Sequence, residues 1–155
     1  MIRMRIAGGL LAVATLTAVT ACGNSAPAAH AHASTSASAV ASEHPTDSLK
    51  PLLQQDLPNV KGKTFTSAIV DFPPNARAAP HRHGHAFTYA YVLEGSVRSK
   101  LEGKPATTYH RGDHWVEPPG THHVLAENTS ATKPAKLLIV VIANPGEALK
   151  TDDPK

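Results

Sequence analysis

Cys22 is the only cysteine in the chain, so no disulfide framework can staple the fold. Aromatic residues are scarce, with three Phe, three Tyr and one Trp, and a core must be built largely from aliphatic side chains. No basic patch is present: apart from Arg3 and Arg5 at the start, thirteen Lys and Arg stand against twelve Asp and Glu. That near balance excludes a nucleic-acid-binding surface. The sequence also lacks a Gly-x-Ser-x-Gly elbow and a Cys/His pair, which removes the usual routes to nucleophilic catalysis. The residue in excess is histidine. Of ten copies, seven fall between His81 and His123.

The first segment reads as an address. Residues 1–5 are basic, and the apolar run 6–21 holds sixteen residues, among them Gly8, Gly9 and three Thr. At about 1.5 Å per residue such a run reaches roughly 24 Å, short of the ~30 Å hydrocarbon core. It has the length and composition of a secretory signal over residues 1–21. The run ends Val19-Thr20-Ala21-Cys22, which resembles the bacterial lipobox: an aliphatic residue, two small ones and the cysteine to be lipidated. The resemblance implies an exported protein, anchored through Cys22 to a membrane of the cell envelope on its periplasmic or extracytoplasmic face. Cleavage after the Ala26-Pro27-Ala28 stretch, with no lipid, is the alternative. Residues 22–46 are rich in Ala, Ser, Thr and Pro without apolar periodicity, the composition of a flexible tether. His30 and His32 lie within it as incidental polar residues.

Residues 47–148 carry a different pattern. Short apolar or alternating runs recur every eight to twelve residues between turn signals, as in an all-β sandwich or barrel. Strands are expected over residues 63–72, 87–93, 97–101, 106–110, 114–117, 123–127 and 136–143, with a short helix or an edge segment over 48–56. The run KLLIVVIA at 136–143 is continuously apolar, as in a strand buried on both faces. Residues 149–155 are expected to form a loose tail. A domain of ~100 residues has an adequate but not generous core, and a homodimer formed through an outer sheet is expected.

The histidines fall in two groups. Pro80-His81-Arg82-His83-Gly84-His85 sets three imidazoles at alternate positions, so on an extended chain His81 and His83 share a face. Pro118-Pro119-Gly120-Thr121 leads into His122-His123, of which one alone can point inward. His110 and His114 flank a turn at Gly112 and read as surface residues. Alternation places Thr88, Ala90 and Val92 on one face of their strand and Tyr89 and Tyr91 on the other. Trp115 has two open readings, the core or the mouth of a pocket.

These motifs resemble those of the cupin superfamily. The family's first motif places His-x-His ahead of a glutamate and a later glycine, and here His81, His83 and Gly95 match. Its second motif is Gly, then Pro-x-Gly, then His and Asn; Gly112, Pro118, Gly120 and His123 match in register, with Asn128 displaced by one. The resemblance implies a single-domain double-stranded β-helix, the cupin or jelly-roll barrel. It also implies a three-histidine site of His81, His83 and His123 for a divalent transition metal: Fe, Zn, Mn, Ni or Cu. Nitrogen ligands suit these ions better than Mg or Ca. Thr88 stands where the family carries its metal-binding glutamate, and two residues are open as replacements, His85 and Glu117. The implied function is binding of a small-molecule ligand or substrate at the metal, as in oxygenase or isomerase chemistry. The alternatives are a binding module at the cell envelope without turnover, and a structural metal that staples the barrel.

Overall fold

The computed structural model describes residues 44–155. The signal, the Cys22 anchor, His30, His32 and all but the end of the expected tether lie outside the described residues.

Eleven strands and no helix occur among the described residues: β1 (Ser48–Asp56), β2 (Thr64–Phe72), β3 (Arg77–Ala78), β4 (His81–Arg82), β5 (Phe87–Glu94), β6 (Ser96–Leu101), β7 (Thr107–His110), β8 (His114–Glu117), β9 (His122–Asn128), β10 (Ala135–Ala143) and β11 (Thr151–Asp152). They form two antiparallel sheets, ordered β1-β2-β10-β5-β8 and β11-β4-β9-β6-β7, with β3 also pairing β9. The architecture is the all-β double-stranded β-helix implied by the motifs.

Alternation decides which side chains face inward. On β2, Thr64, Thr66, Ala68, Val70 and Phe72 are buried while the residues between them are half-exposed. β10 repeats this pattern through Ala135, Leu137, Ile139, Val141 and Ala143. Its continuous apolar run is therefore not buried on both faces, because its outer side chains stay partly open. The core is rich in alanine, with Ala68, Ala76, Ala86, Ala90 and Ala135 buried beside few large residues such as Phe72, Val92 and Val141. That composition follows from the shortage of aromatics.

Residues 48–56 settle as an edge strand, β1, paired along β2 with one bulge between Pro51 and Leu53. At the other end, the expected loose tail contains β11, whose Thr151 and Asp152 pair Arg82 and His81. No apolar pattern in residues 149–155 announces that strand; it is held by what it meets in space.

Two further residues fix the frame. Gly95 turns β5 into β6 at φ +70°, and a Cβ there would sit 2.6 Å from the Pro134 carbonyl oxygen. Only glycine accepts both conditions. Asn128 is buried, with Nδ2 within 3.2 Å of the Phe72 and Pro73 carbonyls and 2.8 Å of that of Lys133, while Oδ1 accepts from the Ser130 amide. It ties the end of β2 to the loop that leads into β10. The displaced motif asparagine is a clamp on the frame.

A candidate metal centre inside the barrel

Pairing register brings the site together. His81 on β4 lies opposite His123 on β9, and both rings turn inward from the same sheet. His83 follows two residues after His81, beyond the end of β4, and its ring lies edge-on to that of His81 with centroids 4.9 Å apart. From the opposing sheet, Thr88 on β5 faces Glu117 on β8 as a register pair. Because β8 alternates, Trp115 and Glu117 point inward while His114 and Val116 point out.

His81, His83, Glu117 and His123 are all buried, and each offers one donor atom within 4.8 Å of the others. Bonds of about 2 Å from a shared ion would span such a group after slight contraction. The side of each ring away from the centre is held. His81 Nδ1 donates to the Ala79 carbonyl at 2.8 Å, and His83 Nδ1 donates to the Leu149 carbonyl. His123 Nε2 lies 2.8 Å from Ser99 Oγ. His81 and His83 thus present Nε2 to the centre and His123 presents Nδ1. Outer hydrogen bonds of this kind fix the tautomer and ring orientation of a metal-binding imidazole. Trp115 Nε1 donates to Glu117 Oε1 at 3.0 Å and orients the carboxylate.

Two atoms of the converging group are left over. Glu117 Oε2 and His123 Nδ1 are buried without a hydrogen-bond partner. Glu117 approaches His123 Nδ1 at 3.1 Å and His83 Nε2 at 3.4 Å, contacts that are electrostatic and poorly aligned for hydrogen bonding. A buried polar atom without a partner costs about 1–3 kcal/mol, which coordination to a cation would offset. Neutral imidazoles with one carboxylate form a donor set for a divalent transition metal. The residues present therefore fit the metal that the fold implies.

The charges agree. Burial, together with the neighbouring His123 and His83, holds His81 down at about 4 against the Ala79 hydrogen bond, so it is neutral at pH 7. Burial also disfavours the His83 cation, but Glu117 and the Leu149 carbonyl outweigh it and raise that group. For Glu117, burial works against ionisation and is overcome by His123 and His83, leaving the carboxyl well below its usual range. One neutral ring, one carboxylate and one readily protonated ring converge on a small volume.

That volume is a cavity of about 50 Å³ walled mainly by apolar side chains, among them Val70, Phe72, Ala90 and Ile139. Leu149 and Lys150, just before β11, line it as well.

The other histidines sit elsewhere. His85, one of the two open replacements for the family glutamate, is turned away: its side chain is 87% exposed and its ring faces Glu147 at 3.5 Å. Gly84, at φ +57°, makes the turn that separates His83 from His85. Glu117, the other replacement, lies in the group. His122 points away from His123 and meets Asp153 at 2.7 Å. His110 and His114 are exposed. Three contributors escaped the sequence reading: Ser99, the Leu149 carbonyl and the indole N–H as a support for Glu117. Strand alternation carries a signal for the last, since Trp115 and Glu117 share a face; the backbone carbonyl leaves none.

Among curated proteins, none matches this chain in sequence. Solved structures do. The DMSP lyase DddQ from Ruegeria pomeroyi is 22% identical, with a TM-score of 0.54 over 66% of this chain and 49% of that one. An oxalate oxidase in complex with the substrate analogue glycolate is 21% identical, with a TM-score of 0.54 over 70% and 57%. TT1209 from Thermus thermophilus is 24% identical, with a TM-score of 0.53 over 64% and 86%. The chain spans about half of the lyase and under three-fifths of the oxidase, and at these identities the likeness is one of fold. Residues 68–141 match the family described as Cupin_2, Cupin domain, a stretch that contains all four converging side chains. That stretch is similar to the cupin domain, and it holds the buried His-His-Glu-His group.

Proposed function

We propose that the domain holds a divalent transition metal through His81, His83, Glu117 and His123 and presents it to a small molecule in the adjoining cavity. One observation carries the reading: four buried donors converge while their outer atoms are tied to Ala79, Leu149, Ser99 and Trp115. Four protein donors close a tetrahedral ion, as in a structural zinc site, but leave two positions on an octahedral one. The cavity beside the donors favours the open case over a staple. Bound there, the metal supplies a Lewis acid or a redox centre, the chemistry of an isomerase or an oxygenase. The protein's part is to fix the donors, exclude bulk water and select ligands of small size.

The Val19-Thr20-Ala21-Cys22 sequence extends the proposal to location: an exported domain at the cell envelope, tethered to the membrane by lipid on Cys22. A Cys22→Ser variant is expected in the soluble fraction, and its retention on membranes would overturn the anchor. A second copy is the partner that suits the partly open apolar outer face of β2 and β10, and sedimentation of residues 44–155 tests it.

The test of the centre is metal content. Purified tag-free protein should carry close to one equivalent of transition metal, falling below a tenth in His81→Ala, His123→Ala and Glu117→Ala variants that keep their β-sheet circular dichroism. Unchanged content in all three would overturn the assignment.

A further inference from the structure

Thr88 is 1% exposed and lines the cavity beside the histidines, yet its Oγ1 has no hydrogen-bond partner. Valine has nearly the same shape and equal preference for a strand, and it would remove an unsatisfied buried oxygen that costs stability. The oxygen therefore needs a reason outside the packing. Its neighbours supply one: across the β5–β8 register Thr88 faces Glu117, whose Oε2 is also without a hydrogen-bond partner.

Charge then narrows the occupant. A divalent ion with three neutral imidazoles and one carboxylate keeps one net positive charge in an apolar cavity, where an unbalanced charge is costly. A monoanion neutralises it. At about 50 Å³ the cavity admits on the order of four water-sized groups, the size of azide or a two-carbon carboxylate.

We propose that the Thr88 hydroxyl is the hydrogen-bond anchor for a small monoanion bound at the His81–His83–Glu117–His123 centre. Thr88 donates through Oγ1, while Ala90 and Ile139 pack against the rest of the ligand. The inference rests on the metal reading above and assigns Thr88 a role in ligand selection, separate from holding the ion.

The test uses cobalt(II)-loaded protein titrated with azide and followed by its visible spectrum. Thr88→Val is expected to bind cobalt as wild type does but azide about tenfold more weakly, the loss of one charge-assisted hydrogen bond. Thr88→Ser, which keeps the hydroxyl, should stay within about threefold of wild type. In the metal-free state Thr88→Val should melt a few degrees higher, because an unsatisfied group has been removed. Equal azide affinity in wild type and Thr88→Val would overturn the inference and leave the metal reading standing. Loss of cobalt from Thr88→Val would overturn it by making Thr88 a metal ligand. Failure of wild type to take up cobalt would overturn the metal reading, and the inference with it.

Discussion

His81 and His123 are register partners across β4 and β9, their ring centroids 5.0 Å apart. Backbone pairing, rather than side-chain flexibility, sets their approach. With His81 neutral at pH 7 and its Nδ1 committed to Ala79, a lone pair points inward before any ligand arrives. Preorganisation of this kind lowers the ordering cost of binding.

Metal removal should therefore cost stability without unfolding the barrel, since the core is independent of the donors. Binding to the folded state alone contributes about 2.7 kcal/mol at a hundredfold excess over Kd. For a domain of ~100 residues that corresponds to a Tm difference of roughly 10 °C. Calorimetry with and without a chelator reads it directly, and in His123→Ala the two melting curves should coincide. Equal Tm values for chelated and loaded wild type would contradict the proposal.

Trp115 offers a separable test of how the carboxylate is held. Trp115→Phe keeps a ring against Tyr109, whose centroid lies 4.7 Å from that of the indole, and deletes the Nε1–H that orients Glu117. Metal affinity is expected to fall about tenfold, the lower end of the effect of losing an outer hydrogen bond. Competition against a chromogenic chelator measures the change. An unaltered affinity would mean that His83 and His123 orient the carboxylate by themselves.

Gly84→Ala should be more damaging than Gly103→Ala, although both glycines have positive φ, at +57° and +72°. Either change carries backbone strain of about 1–2 kcal/mol. A Cβ at Gly103 meets open space, whereas one at Gly84 runs into the Glu147 carboxylate. Glu147 accepts the His85 amide at 2.7 Å, and two residues further on the Leu149 carbonyl holds His83. The expected result is a larger drop in Tm for Gly84→Ala together with weaker metal binding, and Gly103→Ala retaining full affinity. Equal losses from the two variants would show that residues 147–149 do not support the site.

Acid stability should depend on Glu127, which sits on β9 between Arg77 of β3 and Arg98 of β6. It accepts from both arginines. Burial opposes its charge, but the two guanidiniums prevail and hold its carboxyl below the ordinary range. A folded-state value below the unfolded one stabilises fully above the unfolded pKa of about 4.3. The contribution is lost as pH falls through the folded value. Glu127→Gln should lower stability by about 1 kcal/mol near neutrality, the scale of a partly exposed network. The gap should close towards pH 3 in urea titrations. A gap that stays constant with pH would point to packing as its origin.

Much of this molecule is legible in one dimension. Strand alternation predicts the inward set Thr88, Ala90 and Val92, and turn residues mark nearly every strand end, because both depend on neighbours close along the chain. The shared face of His81 and His83 is legible for a similar reason, while His123 is singled out from His122 by resemblance to the second cupin motif and not by its period. The choice between His85 and Glu117 is not local. His85 continues the alternate spacing of His81 and His83, but Gly84 turns the backbone and sends its ring to solvent and Glu147.

The order of residues alone determined the all-β class, the positions of most strands and the common face of His81 and His83; the motif resemblance added His123. Tertiary structure decided which carboxylate joins them, which backbone carbonyl locks His83, and that the last residues add a strand beside β4. Those outcomes depend on contacts between segments far apart in the chain, Leu149 with His83 and Glu117 with Thr88. The period of a strand states which way a side chain points; only the closing of one sheet over the other determines what it meets.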